Sequence, residues 1–388
     1  MSHTTAGRPG PNLSEAVMRT LPRRCDHVGS LLRPGQLAAA RQRWRDGELP
    51  ADELAAVEDD AIRHVVEQQQ RVGLAAITDG EFRRDWWHLD FLSGFDGIEL
   101  GERPRPVGFS GTGANPPISI VTGKISHSHP IFVDAFAFLA ATIDRVTDET
   151  AKITIPGPGM AYLQGGRAGI DETAYPDLDE FWSDLVAAYR EEIEALYAAG
   201  CRYLQIDDVS FAYLCDADFR KGATERGDDP DAMIRAGRDA MNAAIAGRPD
   251  DLLVTTHMCR GNFRSRWVAS GGYEPMAETV LGGLDVDAFF MEFDSERAGG
   301  FEPLRFLPSG KTVVLGLVTT KVADLEDDDE IVRRIDEAAT VVPIDQLALS
   351  PQCGFSSTHH GNDLTEDDQW RKLDLVARVA ERVWGERS

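Results

Sequence analysis

FWSDLVAAYREEIEALYAAG, residues 181–200, runs directly into CRYLQIDD, residues 201–208, and the fold turns on reading the two together. Phe181, Leu185, Tyr189, Ile193 and Leu196 recur at near-helical spacing, so one face of this segment is apolar. Ala199-Gly200 offers a stop, and the short apolar run that follows reads as a buried strand. A helix delivered through glycine into a strand is one repeat of a βα architecture around a parallel sheet.

Outward from this repeat the alternation continues in both directions. Strands are expected at Cys25–Leu32, Ala75–Glu81, Ala151–Pro156, Arg202–Asp207, Leu252–His257, Ala288–Glu292, Thr312–Val318 and Gln346–Ser350, each followed by a segment of helical period. Eight successive units predict an α/β fold, a (β/α)8 TIM barrel. An insertion after the second strand, roughly Gly94 to Ser126, carries the alternating run ISIVTGKIS and reads as a β-hairpin flap. The acidic run Asp327, Asp328, Asp329, Glu330 falls where a helix begins, where carboxylates complement the helix dipole. Residues 1–23, rich in Gly, Pro, Ser and Arg, are expected to form an N-terminal arm, and residues 24–388 a single barrel domain. No glycine-rich phosphate fingerprint opens a helix after a strand, which disfavours a dinucleotide-binding fold.

Charge narrows the partners. With 40 Lys+Arg against 65 Asp+Glu in 388 residues, the formal net charge is −25, so nucleic acid and anionic membrane surfaces are excluded as expected partners. No apolar run reaches the roughly 18 residues of a spanning helix, and the N-terminus lacks the apolar centre of a secretory signal; a cytoplasmic protein is expected. Five scattered cysteines, Cys25, Cys201, Cys215, Cys259 and Cys353, are unlike a disulfide framework and leave free thiols or metal ligands as readings. A homo-oligomer is compatible with the helical outer ring of a barrel.

Barrel enzymes build their sites at the C-terminal ends of their strands, and three of those ends carry metal-ligand chemistry. The fifth predicted strand ends in Thr255-Thr256-His257-Met258-Cys259, and in an extended segment residues i and i+2 point the same way, so His257 and Cys259 can face one ion. The sixth ends in Glu292 and the eighth is followed by Cys353. Together His257, Cys259, Glu292 and Cys353 make a tetrahedral N/S/O set that suits zinc, with Glu292 as a capping carboxylate and Cys353 as a small buried hydrophobe the competing readings. Zinc with two thiolates and one carboxylate sums to 2 − 1 − 1 − 1 = −1, a weak Lewis acid. Such a site suits lowering the pKa of a substrate thiol from its free value of about 8.5 while keeping the sulfur nucleophilic, so alkyl transfer to a thiol is the implied chemistry.

Eight motifs occur in order: HVGSLLRP (27–34), ITDGEFRRDWWHLDF (77–91), ITIPGPGM (153–160), LQIDD (204–208), THMC (256–259), MEFDSERAGG (291–300), LGLVTTK (315–321) and SPQCGFSS (350–357). In these the chain resembles the catalytic half of cobalamin-independent methionine synthase and its short single-barrel relatives, among them the epoxyalkane:coenzyme M transferases. The resemblance implies that His257, Cys259, Glu292 and Cys353 hold a catalytic zinc, and that Ser30, Glu81 and Asp207 hold the amino-acid thiol homocysteine. Carboxylates such as Glu81 and Asp207 suit an ammonium group, and backbone groups around Ser30 a carboxylate. Asp208, pointing to the opposite side of a regular strand, reads as structural.

The departures from the family pattern bear on the methyl donor. The chain has no room for the duplicated barrel that helps bind folate, and Gln164 stands where a pterin-packing Trp is expected. The family's proton-relaying His aligns onto Thr319-Thr320-Lys321, leaving Lys321 as a proton donor or as an ordinary surface lysine. The pair His359-His360 at the same rim could donate a proton as well. Trp86, Trp87 and His88 are candidates for the pocket wall, and Arg260, Arg264 and Arg266 for gripping an anion. The expected activity is zinc-dependent methyl transfer to a thiol, homocysteine giving methionine, from a donor simpler than polyglutamyl folate, including a methylcobalamin carried by a corrinoid protein. The alternative is ring opening of an epoxide by coenzyme M or another thiol.

Overall fold

The computed structural model of the chain describes residues 23–102, 116–143 and 148–385; the expected N-terminal arm lies outside these but for Arg23. Among the described residues nine strands form: β1 Ala76–Ile77, β2 Asp96–Gly101, β3 Ile118–Ser126, β4 Thr150–Pro156, β5 Tyr203–Asp207, β6 Leu253–Met258, β7 Ala288–Glu292, β8 Thr312–Val318 and β9 Leu347–Pro351. Seven of them make one parallel sheet in the order β1-β4-β5-β6-β7-β8-β9, while β2 and β3 pair antiparallel in the insertion. Residues of β5, β7 and β9 are buried along their whole length, as a sheet covered on both faces requires.

The first expected strand, Cys25–Leu32, is not a regular strand, yet it stands where the eighth is needed. Cys25 bridges Leu349 of β9 in parallel, and Asp26 N donates to Leu349 O at 3.1 Å. On the other flank Leu31 N donates to Gly80 O at 3.1 Å and Thr78 Oγ1 to Gly29 O at 2.7 Å. The segment therefore fills the gap between β9 and β1 and joins the two edges of the sheet. Its irregularity has a local cause: Gly29 sits at φ 141°, and a Cβ there would lie 2.8 Å from Thr154 Cγ2.

Helices fill the outside. Leu178–Ala198 buries Phe181, Leu185, Tyr189, Ile193 and Leu196, as its spacing predicts, and begins at Asp177, whose side chain accepts from Asp179 N. Burying one such side chain contributes about 1.5–3 kcal/mol. Tyr189 is anchored too, its hydroxyl donating to Pro156 O at 2.9 Å at the C-terminal end of β4. Asp327 caps Asp328–Ala339 by accepting from Asp329 N and Glu330 N, which accounts for the acidic run. Among the described residues no helix is long and apolar enough to cross a membrane.

The barrel interior is in part charged. Val28, Phe290, Val314 and Ala348 form a small apolar cluster inside the ring. Beside it Lys152 is fully buried, its Nζ 3.1 Å from Asp26 Oδ1, donating to His27 O at 2.6 Å, and lying 4.2 Å from the Phe290 ring centre. Tyr203 donates its hydroxyl to the other Asp26 oxygen at 2.6 Å. Burial pulls the Lys152 pKa down, and Asp26 opposes it.

Candidate active site and metal centre

Strand register brings the chemistry to one level. In β5 and β6 Asp207 pairs with His257, and in β6 and β7 Met258 pairs with Met291, so Cys259 and Glu292 follow at neighbouring strand ends. Cys353 arrives on the loop after β9, where Gly354 lets the chain pass close to Ser30: a Cβ there would lie 1.9 Å from Ser30 Oγ.

His257, Cys259 and Cys353 converge, their ligand atoms all within 4.8 Å of one another and all three residues buried. The two sulfurs are 3.5 Å apart and unbridged. The hydrogen bond between the two sulfurs holds the Cys353 thiol well below its ordinary pKa, with His257 and Lys321 adding to it, whereas Cys259 is pushed up by the partner sulfur and by burial. His257 Nε2 faces Gln352 O at 3.3 Å and Nδ1 lies 3.7 Å from Asp207 Oδ1. One soft nitrogen and two sulfurs in a buried cluster are a donor set that fits zinc.

Glu292, expected as a fourth ligand, stands outside that cluster. Its Oε2 accepts from Arg260 N at 2.9 Å and its Oε1 is ion-paired with Arg297. Burial alone would raise its pKa, but Lys321, Arg297 and Arg260 hold the carboxyl down at about 2. Tyr273 ties the two strand ends together, donating its hydroxyl to Met258 O at 2.8 Å and accepting from Glu292 N at 2.9 Å. Arg260 therefore serves the frame: its guanidinium stacks 4.0 Å from the Tyr273 ring centre and donates to Gly271 O, Glu292 O and Ala298 O. Arg264 and Arg266 are exposed.

One cavity gathers most of the predicted site. It is lined by Ser30, Glu81, Asp207, His257, Cys259 and Cys353 at its inner end. Its walls include Trp86, Trp87, His88, Gln164, Tyr213, Phe219 and Phe263, with Pro116 and Pro117 from the entry to β3. Among the described lining residues none is Lys or Arg. Lys321 is not in the lining; its Nζ donates to Gln352 Oε1 at 2.9 Å. His359 and His360 lie 3.9 Å apart, ring centre to ring centre, against Trp86 at the rim.

Glu81 is the most constrained group in the cavity. It adopts φ +60°, a left-handed conformation that costs on the order of 1 kcal/mol or more for a side-chain-bearing residue. Its Oε1 accepts from Thr154 Oγ1 at 2.8 Å, while Oε2 is buried and has no hydrogen-bond partner among the described residues. Burial raises its pKa, against the pull of Arg84. Asp207 accepts from Gln205 Nε2 at 2.7 Å, and burial, reinforced by Glu81, pushes it up to about 7 against the pull of His257. Asp208 turns away, as expected, and accepts from Ser210 N at 3.0 Å.

Residues 25–366 match the family of the cobalamin-independent synthase catalytic domain, and the chain belongs to that family. It is 45% identical over 368 residues to the protein YxjH of Bacillus subtilis, covering 94% of this chain and 96% of that one. A 5-methyltetrahydropteroyltriglutamate--homocysteine methyltransferase of Bacillus licheniformis is 22% identical over 330 residues, which are 85% of this chain but 39% of that longer protein. Among solved structures, a vitamin-B12-independent methionine synthase described as putative, from Listeria monocytogenes, superposes with a TM-score of 0.75 at 38% identity, covering 94% of this chain and 99% of that one. A B12-independent methionine synthase from Shewanella sp. W3-18-1, in complex with selenomethionine, shares the fold, with a TM-score of 0.69 at 20% identity over 93% of this chain and 97% of that one.

Proposed function

We propose that the protein is a zinc-dependent methyltransferase that transfers a methyl group to homocysteine, giving methionine, from a donor more compact than a polyglutamyl folate. The observation that carries this reading is the meeting of His257, Cys259 and Cys353 at the inner end of a cavity that also holds Glu81 and Asp207. Those three residues would hold the ion, with Glu292 beside them. When bound, zinc lowers the pKa of a thiol and keeps its sulfur able to attack carbon.

The remaining steps belong to the chain itself. The Glu81 Oε2, left open by the described residues, and the Asp207 carboxylate receive the ammonium group of the amino acid, a charge-assisted contact worth about 1.5–3 kcal/mol each. Ser30, on the segment that joins β9 to β1, faces the same space on the carboxylate side. The aromatic wall of Trp86, Trp87, Tyr213, Phe219 and Phe263 excludes water and packs on the donor. The Glu81 and Asp207 carboxylates at the inner end of the cavity suit an acceptor that carries an ammonium group, which favours homocysteine over coenzyme M.

The test is elemental analysis of the purified protein with its Cys259→Ser and Cys353→Ser variants, followed by methionine formation from homocysteine with methylcobalamin, 5-methyltetrahydrofolate and S-methylmethionine as donors. One zinc per chain, lost in both variants, together with homocysteine-dependent turnover on one of the donors, is the expected result. Absence of zinc after reconstitution, or thiol-dependent consumption of an epoxide with indifference to methyl donors, would overturn it.

A further inference from the structure

We infer that Arg84 is a positioning residue for the amino-acid thiol: acting through the Thr154 hydroxyl, it fixes one Glu81 oxygen and leaves the other open to the substrate ammonium. This rests on the methyltransferase reading above and adds to it how the site selects a thiol that carries an amino group. Thr154 belongs to β4 and Arg84 to the loop after β1, its neighbour in the sheet. Thr154 Oγ1 lies 3.0 Å from Arg84 Nη1 and 2.8 Å from Glu81 Oε1. A hydroxyl has a single proton and a guanidinium only donates. Arg84 therefore takes a lone pair of Oγ1, and the hydroxyl proton is directed onto Glu81 Oε1, which accepts it. The threonine is steadied from its other branch, since a Cβ on Gly29 would lie 2.8 Å from Thr154 Cγ2.

The interposed hydroxyl has a chemical purpose. Arg84 Nη1 stays 3.7 Å from Glu81 Oε1, near enough to favour the charged carboxylate and too far to hydrogen-bond it. A direct two-point pair would occupy both carboxylate oxygens, whereas the threonine occupies one. Among the described residues the bond to Thr154 is the one hydrogen bond of the buried Arg84 guanidinium, which otherwise lies 4.0 Å from the Phe132 ring centre. Burial raises the Glu81 pKa; Arg84 pulls it back, helped by the Thr154 hydroxyl and Arg33, and Asp79 works against them. Asp207 is the other carboxylate of the same cavity.

The experiment measures binding and turnover of homocysteine and of 4-mercaptobutanoate, the same thiol without its amino group, on the zinc-loaded protein and its variants. Wild type is expected to bind homocysteine about 30-fold tighter. Thr154→Val keeps the shape and removes the hydroxyl; it should raise the homocysteine KM about tenfold with kcat within about threefold, and change 4-mercaptobutanoate binding by less than about twofold. Arg84→Met should raise the homocysteine KM about 30-fold relative to wild type, with the excess shrinking as pH rises, because Glu81 without its neighbouring cation ionises at higher pH. The double variant should be no worse than Arg84→Met alone, and Thr154→Ser should stay within about threefold of wild type. A Thr154→Val variant that weakens both thiols equally, or one identical to wild type, would overturn the inference while leaving methyl transfer to homocysteine intact, and this arm decides even where Arg84→Met does not fold. A wild-type protein that binds homocysteine no tighter than 4-mercaptobutanoate would sink the ammonium site on which both readings rest.

Discussion

The barrel holds two buried charged regions, one in its interior and one at its mouth, and they are finished to different degrees. In the interior, the Lys152 ammonium meets Asp26 and His27 O, and the second Asp26 oxygen takes the Tyr203 hydroxyl. At the mouth, Glu81 keeps a buried oxygen without a hydrogen-bond partner among the described residues, Asp207 titrates far from its ordinary range, and two thiols share space with a histidine. Buried polar groups left open cost stability, and a fold keeps them where a ligand completes them. The Lys152–Asp26–Tyr203 group is thus read as architecture and the mouth as chemistry, from the same kinds of residue.

The largest effect that could break this contrast is predicted for Lys152→Met. Removing one partner of a buried ion pair strands Asp26 and should cost about 3–5 kcal/mol of stability in urea denaturation, with much of it recovered by adding Asp26→Asn. A cost below 1 kcal/mol would mean that the interior pair is no more finished than the mouth. The second prediction concerns acid. His27, buried with its Nε2 on Ala76 O, has its pKa lowered to about 4 by burial, with Lys152 adding to it. Between that value and the ordinary 6.5 the unfolded chain binds the extra proton, so the stability contributed by neutral His27 is complete above pH 6.5 and lost as pH falls towards 4. Going from pH 7.5 to 5 should remove about 2 kcal/mol, and His27→Asn should abolish that share of the slope.

Effects at the mouth should fall on function instead. Glu81→Gln is expected to raise the homocysteine KM by about 10- to 100-fold through loss of a charge-assisted contact, with unchanged or increased thermal stability, because a strained, half-satisfied carboxylate is neutralised. A large drop in Tm with little change in KM would place Glu81 in the architecture. The smallest effect is assigned to the seam between the regions. Gln205 donates to both Val28 O and Asp207 Oδ1 at 2.7 Å, and Gln205→Met should cost about 1 kcal/mol of stability and raise KM about fivefold.

The sequence was informative where regular structure carries the signal. Ala288–Glu292 and Thr312–Val318 form with the expected limits, because a strand covered on both faces reads as an uninterrupted apolar run. The His-x-Cys pair at the end of β6 is legible for a related reason, since alternation along an extended segment fixes which side chains share a side. Cys25–Leu32 reads as a strand from its sequence, but only isolated backbone hydrogen bonds tie it to β9 and to the turn after β1, and the positive-φ Gly29 that interrupts it leaves no periodic trace. Arg260 looked like an anion clamp beside Cys259, but its stacking on Tyr273 is a tertiary fact with no local signature. The Glu292–Arg297 pairing was equally hidden, because five residues across an irregular turn match no helical or strand period.

The hairpin of β2 and β3 has one more consequence. Pro116 and Pro117 line the cavity at the entry to β3, a strand outside the parallel sheet, whereas Asp207, His257 and Glu292 sit in the strands of that sheet. The outer wall of the cavity at Pro116 and Pro117 and its inner end at Asp207 and His257 are therefore inherited on separate stretches of chain. A lineage could lengthen, shorten or replace that excursion and acquire a different methyl source without disturbing the inner end, which makes the insertion the place where members of such a lineage would be expected to diverge in substrate first.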